Sequence, residues 1–199
     1  METTLVLALT HRYWPRANAL VRDLLLVIGG SLLVAALAQV RIPLSFTPVP
    51  LTGQTFAVLL VGAVLGSRRG AAALALYTLG GLAGLPVFTG WGSGLAHLAG
   101  PTGGYLLGFG AAAFTVGWMC ELKLDRRWST ALLPFLVGEA IIYLFGVPWL
   151  AVFVGTQRAL AAGLYPFLMG DVAKLLLAAL TLPMAWKYAL PELDLQDPS

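Results

Sequence analysis

Three observations predict an all-α membrane protein of six transmembrane helices with both termini cytoplasmic. Hydrophobic residues make up 59% of the 199 residues and charged residues only 11%, with a mean hydropathy of +0.85; soluble domains carry about 25% charged residues. The apolar stretches are separated by short connections that are either basic or rich in Gly and Pro. The Lys and Arg residues also gather on one side when those stretches are drawn as spans.

The elements follow in order. Residues 1–19 form a cytoplasmic N-terminal segment, whose apolar run Leu5 to Leu9 is too short and too soon followed by His11, Arg12 and Arg16 for a signal peptide. Residues 20–188 form the transmembrane domain. The first span, about Leu20 to Val40, carries a row of small residues, Ser31, Ala35 and Ala38, flat enough for a helix of this chain or of a partner to approach. Pro48 and Pro50 hold an extended segment before the second span, about Thr55 to Gly66, and place Gln54 at its mouth. A tight basic turn, Ser67 to Gly70, leads to the third span, about Ala71 to Leu85.

Gly84 to Tyr105 contains seven glycines, two prolines and no Lys, Arg, Asp or Glu. Such a stretch is no continuous helix. Apolar irregular backbone beside membrane helices needs cover from protein or a cavity, so this stretch is expected to be a lid or pocket wall. The fourth span is about Tyr105 to Glu121 and the fifth about Ala131 to Val154, with Glu139 and Tyr143 one turn apart on one face. Gly155 to Gly163 reads as a surface connection, and Pro166 introduces a sixth span, about Phe167 to Tyr188, interrupted at Pro183. Residues 189–199 form a polar cytoplasmic tail, expected to be disordered.

With the N-terminus inside, nine Lys and Arg residues lie on the inner side and two, Arg41 and Arg158, on the outer, with Lys174 inside a span. That bias sets the glycine-rich stretch, the segment 48–54 and the start of the sixth span on the outer face. The net charge of +3 is then a membrane-orienting charge, and the partner it implies is a lipid bilayer and no nucleic acid.

Chemistry on this chain is limited. There is no phosphate-binding Gly-x-x-x-x-Gly-Lys-[Ser/Thr] loop, so an energy source has to come from a partner. The single Cys120 forms no internal disulfide, and His11 and His97 are too far apart in sequence to suggest a metal site. No nucleophile stands beside a base, and an enzyme is not expected. Three ionisable residues, Glu139, Asp171 and Lys174, fall within spans, where an Asp or Lys costs on the order of 2.5–3.5 kcal/mol at a helix centre. Asp171 and Lys174 share a helix face and either neutralise each other or bind a ligand under the lid. Glu139 is protonated, hydrogen-bonded to a neighbouring helix, or the proton site of a secondary transporter.

Six ordered motifs bring a known family into view. Pro48-Val-Pro-Leu-Thr-Gly-Gln-Thr55, Leu65-Gly-Ser-Arg-Arg-Gly-Ala71, Gly84-Leu-Pro-Val-Phe88, Gly100-Pro-Thr-Gly-Gly-Tyr105, Gly146-Val-Pro-Trp-Leu150 and Pro166-Phe-Leu-Met-Gly-Asp-Val-Ala-Lys174 resemble BioY, over about residues 30 to 180. That family comprises the biotin-binding S components of energy-coupling factor (ECF) transporters. The resemblance implies the S-component fold with an outward-facing biotin pocket capped by loops, biotin as ligand with no cofactor, and no catalysis. It implies that Asp171 and Lys174 match the family's Gly-Asp-x-x-Lys binding motif. It also implies partners, namely a transmembrane coupling subunit and two ATP-binding cassette ATPases in the cell membrane. Family members dock through an Ala-x-x-x-Ala face of the first helix; Ser31-x-x-x-Ala35 is the nearest substitute here. Biotin's bicyclic head needs an apolar slot, for which Phe88, Trp91 and Tyr143 could supply walls with Gln54 and Glu139 nearby. Asp171 can accept from the ureido N–H groups, and Lys174 can donate to the ureido oxygen or pair with the carboxylate. Proton-coupled transport of a small vitamin-like solute, or service as the S component for another vitamin, are the competing readings. The inverted repeat and paired broken helices of secondary transporters are not evident.

Overall fold

The computed structural model describes residues 4–14, 16 and 18–189. The helices are α1 Leu5–Tyr13, α2 Ala19–Gln39, α3 Gln54–Leu65, α4 Ser67–Leu82, α5 Gly94–Leu98, α6 Gly103–Glu121, α7 Leu132–Val154, α8 Thr156–Gly163 and α9 Tyr165–Ala189. A two-stranded antiparallel hairpin, β1 Arg41–Ile42 with β2 Leu51–Thr52, joins α2 to α3 in the register Arg41 opposite Thr52. Each stretch expected to span is helical. By length and composition, α2, α6, α7 and the stretch Thr156–Ala189 containing α9 can cross a membrane, while α3 is apolar but only 12 residues long.

Successive long helices run antiparallel, which gathers the connections at two ends. At one end, Thr47 Oγ1 donates to the Ala162 carbonyl at 2.7 Å, Tyr105 OH to the Gly163 carbonyl at 2.8 Å, and Trp149 Nε1 to the Gly100 carbonyl at 2.9 Å. These bonds weld the three loop regions of that end into one cap. At the other end, the Glu121 carboxylate accepts from the Ser67 amide at 2.9 Å and from its hydroxyl, so α6 supplies an N-terminal cap to α4. Buried Asp125 accepts from Trp186 Nε1 at 2.5 Å, and Arg126 lies over the Trp186 ring, 4.1 Å from its centroid. Helix α6 forms the centre, packed on α3, α4 and α7. The approach of α7 is so close at Gly104 that a side chain there would run into Trp149 and the Phe145 carbonyl.

Some expectations are corrected and others are filled in. Ser67 to Gly70 is no turn: Gly66 alone reverses the chain, at φ +86, and Arg68 and Arg69 occupy the first turn of α4. The glycine-rich stretch contains the short helix α5, and Gly155 to Gly163 is largely helical as α8. Pro183 does not interrupt α9, which continues through it to Ala189. The N-terminal segment contains α1, whose Leu5, Val6 and Ala8 are buried in the core. The polar tail beyond residue 189 lies outside the described residues.

The row Ser31, Ala35 and Ala38 faces the chain's own helices. Ser31 and Ala38 are buried and Ala35 is half-buried, because the small side chains let α2 nestle on α3 and α4; at neighbouring Gly30 an added Cβ would meet Leu65, Ala73 and Val61. The face that α2 exposes is built instead from Leu20, Leu24, Leu25, Ile28 and Leu32.

Candidate functional site

A cavity of about 50 Å³ lies inside the loop-capped end. Its floor is set by α9. Asp171 is 4% exposed, and its carboxylate accepts from Lys174 Nζ at 3.1 Å, through Oδ1, and from the Tyr143 hydroxyl, through Oδ2. The i, i+3 spacing on α9 turns the acid and the ammonium to one face, and α7 brings Tyr143 against them. Lys174 Nζ also donates to the Thr52 carbonyl at 2.9 Å and to Thr55 Oγ1 at 3.3 Å. The hairpin and the start of α3 are thereby tied to α9 through one cation.

The sides of the cavity come from α3, α6 and the lid. Gln54, buried at the first position of α3, donates from Nε2 to the Tyr77 hydroxyl at 2.7 Å, and its Oε1 accepts from Thr89 Oγ1 at 3.0 Å. Tyr77 in turn donates to the Val87 carbonyl at 3.2 Å. Gln39, at the end of α2, grips the same lid: Nε2 donates to the Phe88 carbonyl at 3.1 Å and Oε1 accepts from the Trp91 amide at 3.0 Å. The apolar walls are Tyr105 and Phe109, four apart on α6, with Phe167 of α9.

Of the side chains expected at a site, Gln54, Tyr143, Asp171 and Lys174 come together on this cavity. Glu139 lies one turn from Tyr143, buried and outside the lining, with Oε1 lacking a hydrogen-bond partner among the described residues. Phe88 and Trp91 do not form the walls. Phe88 is 0% exposed and fills the gap between lid and α4, edge-on to Tyr77 at 5.5 Å and stacked on His97 at 5.0 Å. Trp91 is 69% exposed at the lid's tip, where its φ of 61 turns it outward. Sequence reasoning missed Thr52, Thr55, Thr89, His97, Tyr105 and Phe109; only the Tyr105–Phe109 spacing opposite a glycine-rich approach carried a local signal.

The arrangement suits a small amphipathic solute. It offers an acceptor pair on Asp171, a cation on Lys174, amide and hydroxyl groups on Gln54 and Thr89, and aromatic faces between them. Among the described residues no group of His, Cys, Asp or Glu could hold a metal ion.

Comparison with known proteins gives one consistent result. The BioY family pattern matches residues 7–190. The chain is 42% identical over 134 residues to a probable biotin transporter BioY of Pyrococcus horikoshii, covering 67% of this chain and 78% of that one. It is 42% identical over 149 residues to the biotin transporter BioY of Thermotoga maritima, covering 74% and 86%. Against that of Rhizobium etli, identity is 37% over 168 residues, covering 80% and 90%. The solved structure of the S-component for biotin from an ECF-type ABC transporter superposes with a TM-score of 0.76 at 27% identity, over 84% of this chain and 92% of that one.

Proposed function

We propose that this chain, which belongs to the BioY family, binds biotin and serves its uptake as the S component of an ECF-type transporter, without enzymatic activity. The observation that carries the reading is buried Asp171 bonded to half-buried Lys174 and Tyr143 at the floor of a cavity under a hydrogen-bonded lid. Asp171 and Lys174 address the polar groups of the ligand, and Gln54, Tyr143 and the walls Tyr105, Phe109 and Phe167 hold its apolar part. Glu139 supports the floor from behind Tyr143.

Residues 20–188 act as one six-span substrate-binding unit in the cytoplasmic membrane, between the inner segments 1–19 and 189–199. The distribution of Lys and Arg supports an outward-facing lid. Transport then requires a coupling transmembrane subunit and two ATPases, because the chain carries no phosphate-binding loop.

The test is calorimetry on the purified chain with biotin, and with thiamine and riboflavin as controls. Saturable binding of biotin alone is expected. Binding of a control vitamin in preference to biotin, or no binding of biotin, contradicts the reading. Uptake into proteoliposomes should follow the added ATPase module and not an imposed proton gradient.

A further inference from the structure

The floor cavity is too small, in this conformation, for the ligand proposed for it: sites for such molecules run about 300–1,000 Å³, against about 50 Å³ here. A second, more open chamber of about 400 Å³ lies directly against it, sharing Pro50, Thr89, His97 and Thr102. It sits between the β-hairpin loop, at Pro43, Thr47 and Pro48, and the far side of the lid, at Gly100 and Pro101. A solute reaching the floor from the loop end has this chamber on its path.

The chamber carries one permanent charge. Arg41 of β1 lines it, and no carboxylate among the described residues lies within ion-pairing distance of its guanidinium. The guanidinium rests on the backbone of Gly90, where an added Cβ would collide with it, so its position over the lid depends on that glycine. Strand pairing fixes the backbone of Arg41, which stands opposite Thr52, whose carbonyl accepts from Lys174. A single hairpin therefore carries a free cation at the rim and a contact to the engaged cation at the floor. His97, the other titratable lining group, is held neutral at pH 7 by burial, which lowers its pKa. Asp171, the acid that lines the floor cavity, is already paired with Lys174.

We propose that this outer chamber is an encounter site for anionic solutes, in which Arg41 captures the carboxylate of the incoming ligand before the floor cavity opens. The inference rests on the reading of the chain as a biotin binder. A cation in a low-dielectric cleft raises the local concentration of an anion and its association rate. Arg41 thus sets how fast a carboxylate ligand loads and favours acids over neutral analogues at the same floor site.

Stopped-flow association on the detergent-solubilised full chain tests this, using biotin and its uncharged amide as probes. In 10 mM salt, Arg41→Gln should slow biotin association about three- to tenfold, leave the amide unchanged, and leave the dissociation rate of both nearly unchanged. Arg41→Lys should retain most of the biotin rate. Raising the salt to 1 M, where the Debye length falls to about 3 Å, should erase the difference between Arg41→Gln and the parent. Equal biotin rates in parent and Arg41→Gln at low salt overturn the proposal, as does an equal slowing of biotin and amide, which would mark a structural role. If the unaltered chain binds neither probe, the parent reading itself fails; if it binds both and only the Arg41 difference is missing, this inference alone fails.

Discussion

Lys174 places its ammonium on three protein acceptors, the Asp171 carboxylate, the Thr52 carbonyl and Thr55 Oγ1, and so has no donor to spare for a ligand until one of them yields. Lys174→Ala removes a partner from a buried acid, a loss that reaches about 3–5 kcal/mol for fully buried pairs and is smaller here because the Lys174 side chain is 22% exposed. A lower melting temperature and at least a tenfold loss of biotin affinity are expected, checked by thermal unfolding and calorimetry. The double replacement Asp171→Leu/Lys174→Met should regain most of the stability and none of the binding. The Asp171–Lys174 pair was legible because ionisable residues inside an apolar span need a reason to be there and a spacing of three shares a face. The partners Thr52 and Thr55 were not, since they lie more than a hundred positions away and only the closing of the hairpin onto α9 brings them near. Phe88 and Trp91 show the opposite failure: composition marks them as aromatic and near the site, but the direction of a loop side chain depends on backbone angles that composition does not carry.

The lid is an element held by side chains from outside itself. Gln39, Gln54 and Tyr77 satisfy its carbonyls, amides and hydroxyls, which lets an apolar irregular segment sit beside membrane helices. Gln39→Leu leaves the Trp91 amide and the Phe88 carbonyl without that partner, at a cost below the about 1–3 kcal/mol of a buried unpaired group, because the Trp91 bond is exposed and the Phe88 carbonyl still accepts from the Gly92 amide. Faster hydrogen exchange confined to residues 85–92, with α6 and α7 unchanged, is expected; a global loss of protection would show that the carboxamide supports the bundle instead. His97 gives the lid a pH dependence. Its folded pKa lies below the unfolded value of 6.5, so the folded state binds fewer protons and stability falls as pH drops below about 6.5. The melting temperature should decline less between pH 7 and 5 in His97→Gln than in the parent. Buried Asp125, whose pKa is raised by desolvation, acts with the opposite sign in both proteins and cancels in that comparison. The lid was legible as an element from its glycines, its prolines and its missing charges. Helix α8 was not, because its flanking Gly155 and its polar start look like a connection, and its hold on the fold comes from Thr47 and Tyr105 elsewhere in the chain.

At the scale of the whole molecule, the chain joins a tied end to a loop-capped end through α6. The ties opposite the lid, Glu121 to Ser67, Asp125 to Trp186 and Arg69 to Asp23, are long-range pairs that no local pattern announces, which is why Arg68 and Arg69 read as a turn. The helical architecture was legible from hydropathy alone, whereas the face that each helix buries was not. Helix α2 illustrates this: Gly30, Ser31 and Ala38 pack inward, while Leu20, Leu24, Leu25 and Leu32 face outward. Ala38→Trp, at a site 0% exposed, should therefore abolish folding and biotin binding together, while Leu24→Ala on the exposed face should leave binding within about twofold, surface changes lying within about 0.5 kcal/mol. Size-exclusion profiles and calorimetry of the two variants check this. The central claim, that the floor of Asp171, Lys174 and Tyr143 receives biotin, is tested most directly by an experimental structure with biotin bound. Density for a polar group of biotin within hydrogen-bond distance of Asp171 or Lys174 is expected, with the cavity enlarged from about 50 Å³ and the Tyr143 to Asp171 bond or a Lys174 bond exchanged for the ligand. Biotin bound elsewhere, with all of Lys174's present bonds intact and the cavity no larger, would contradict it.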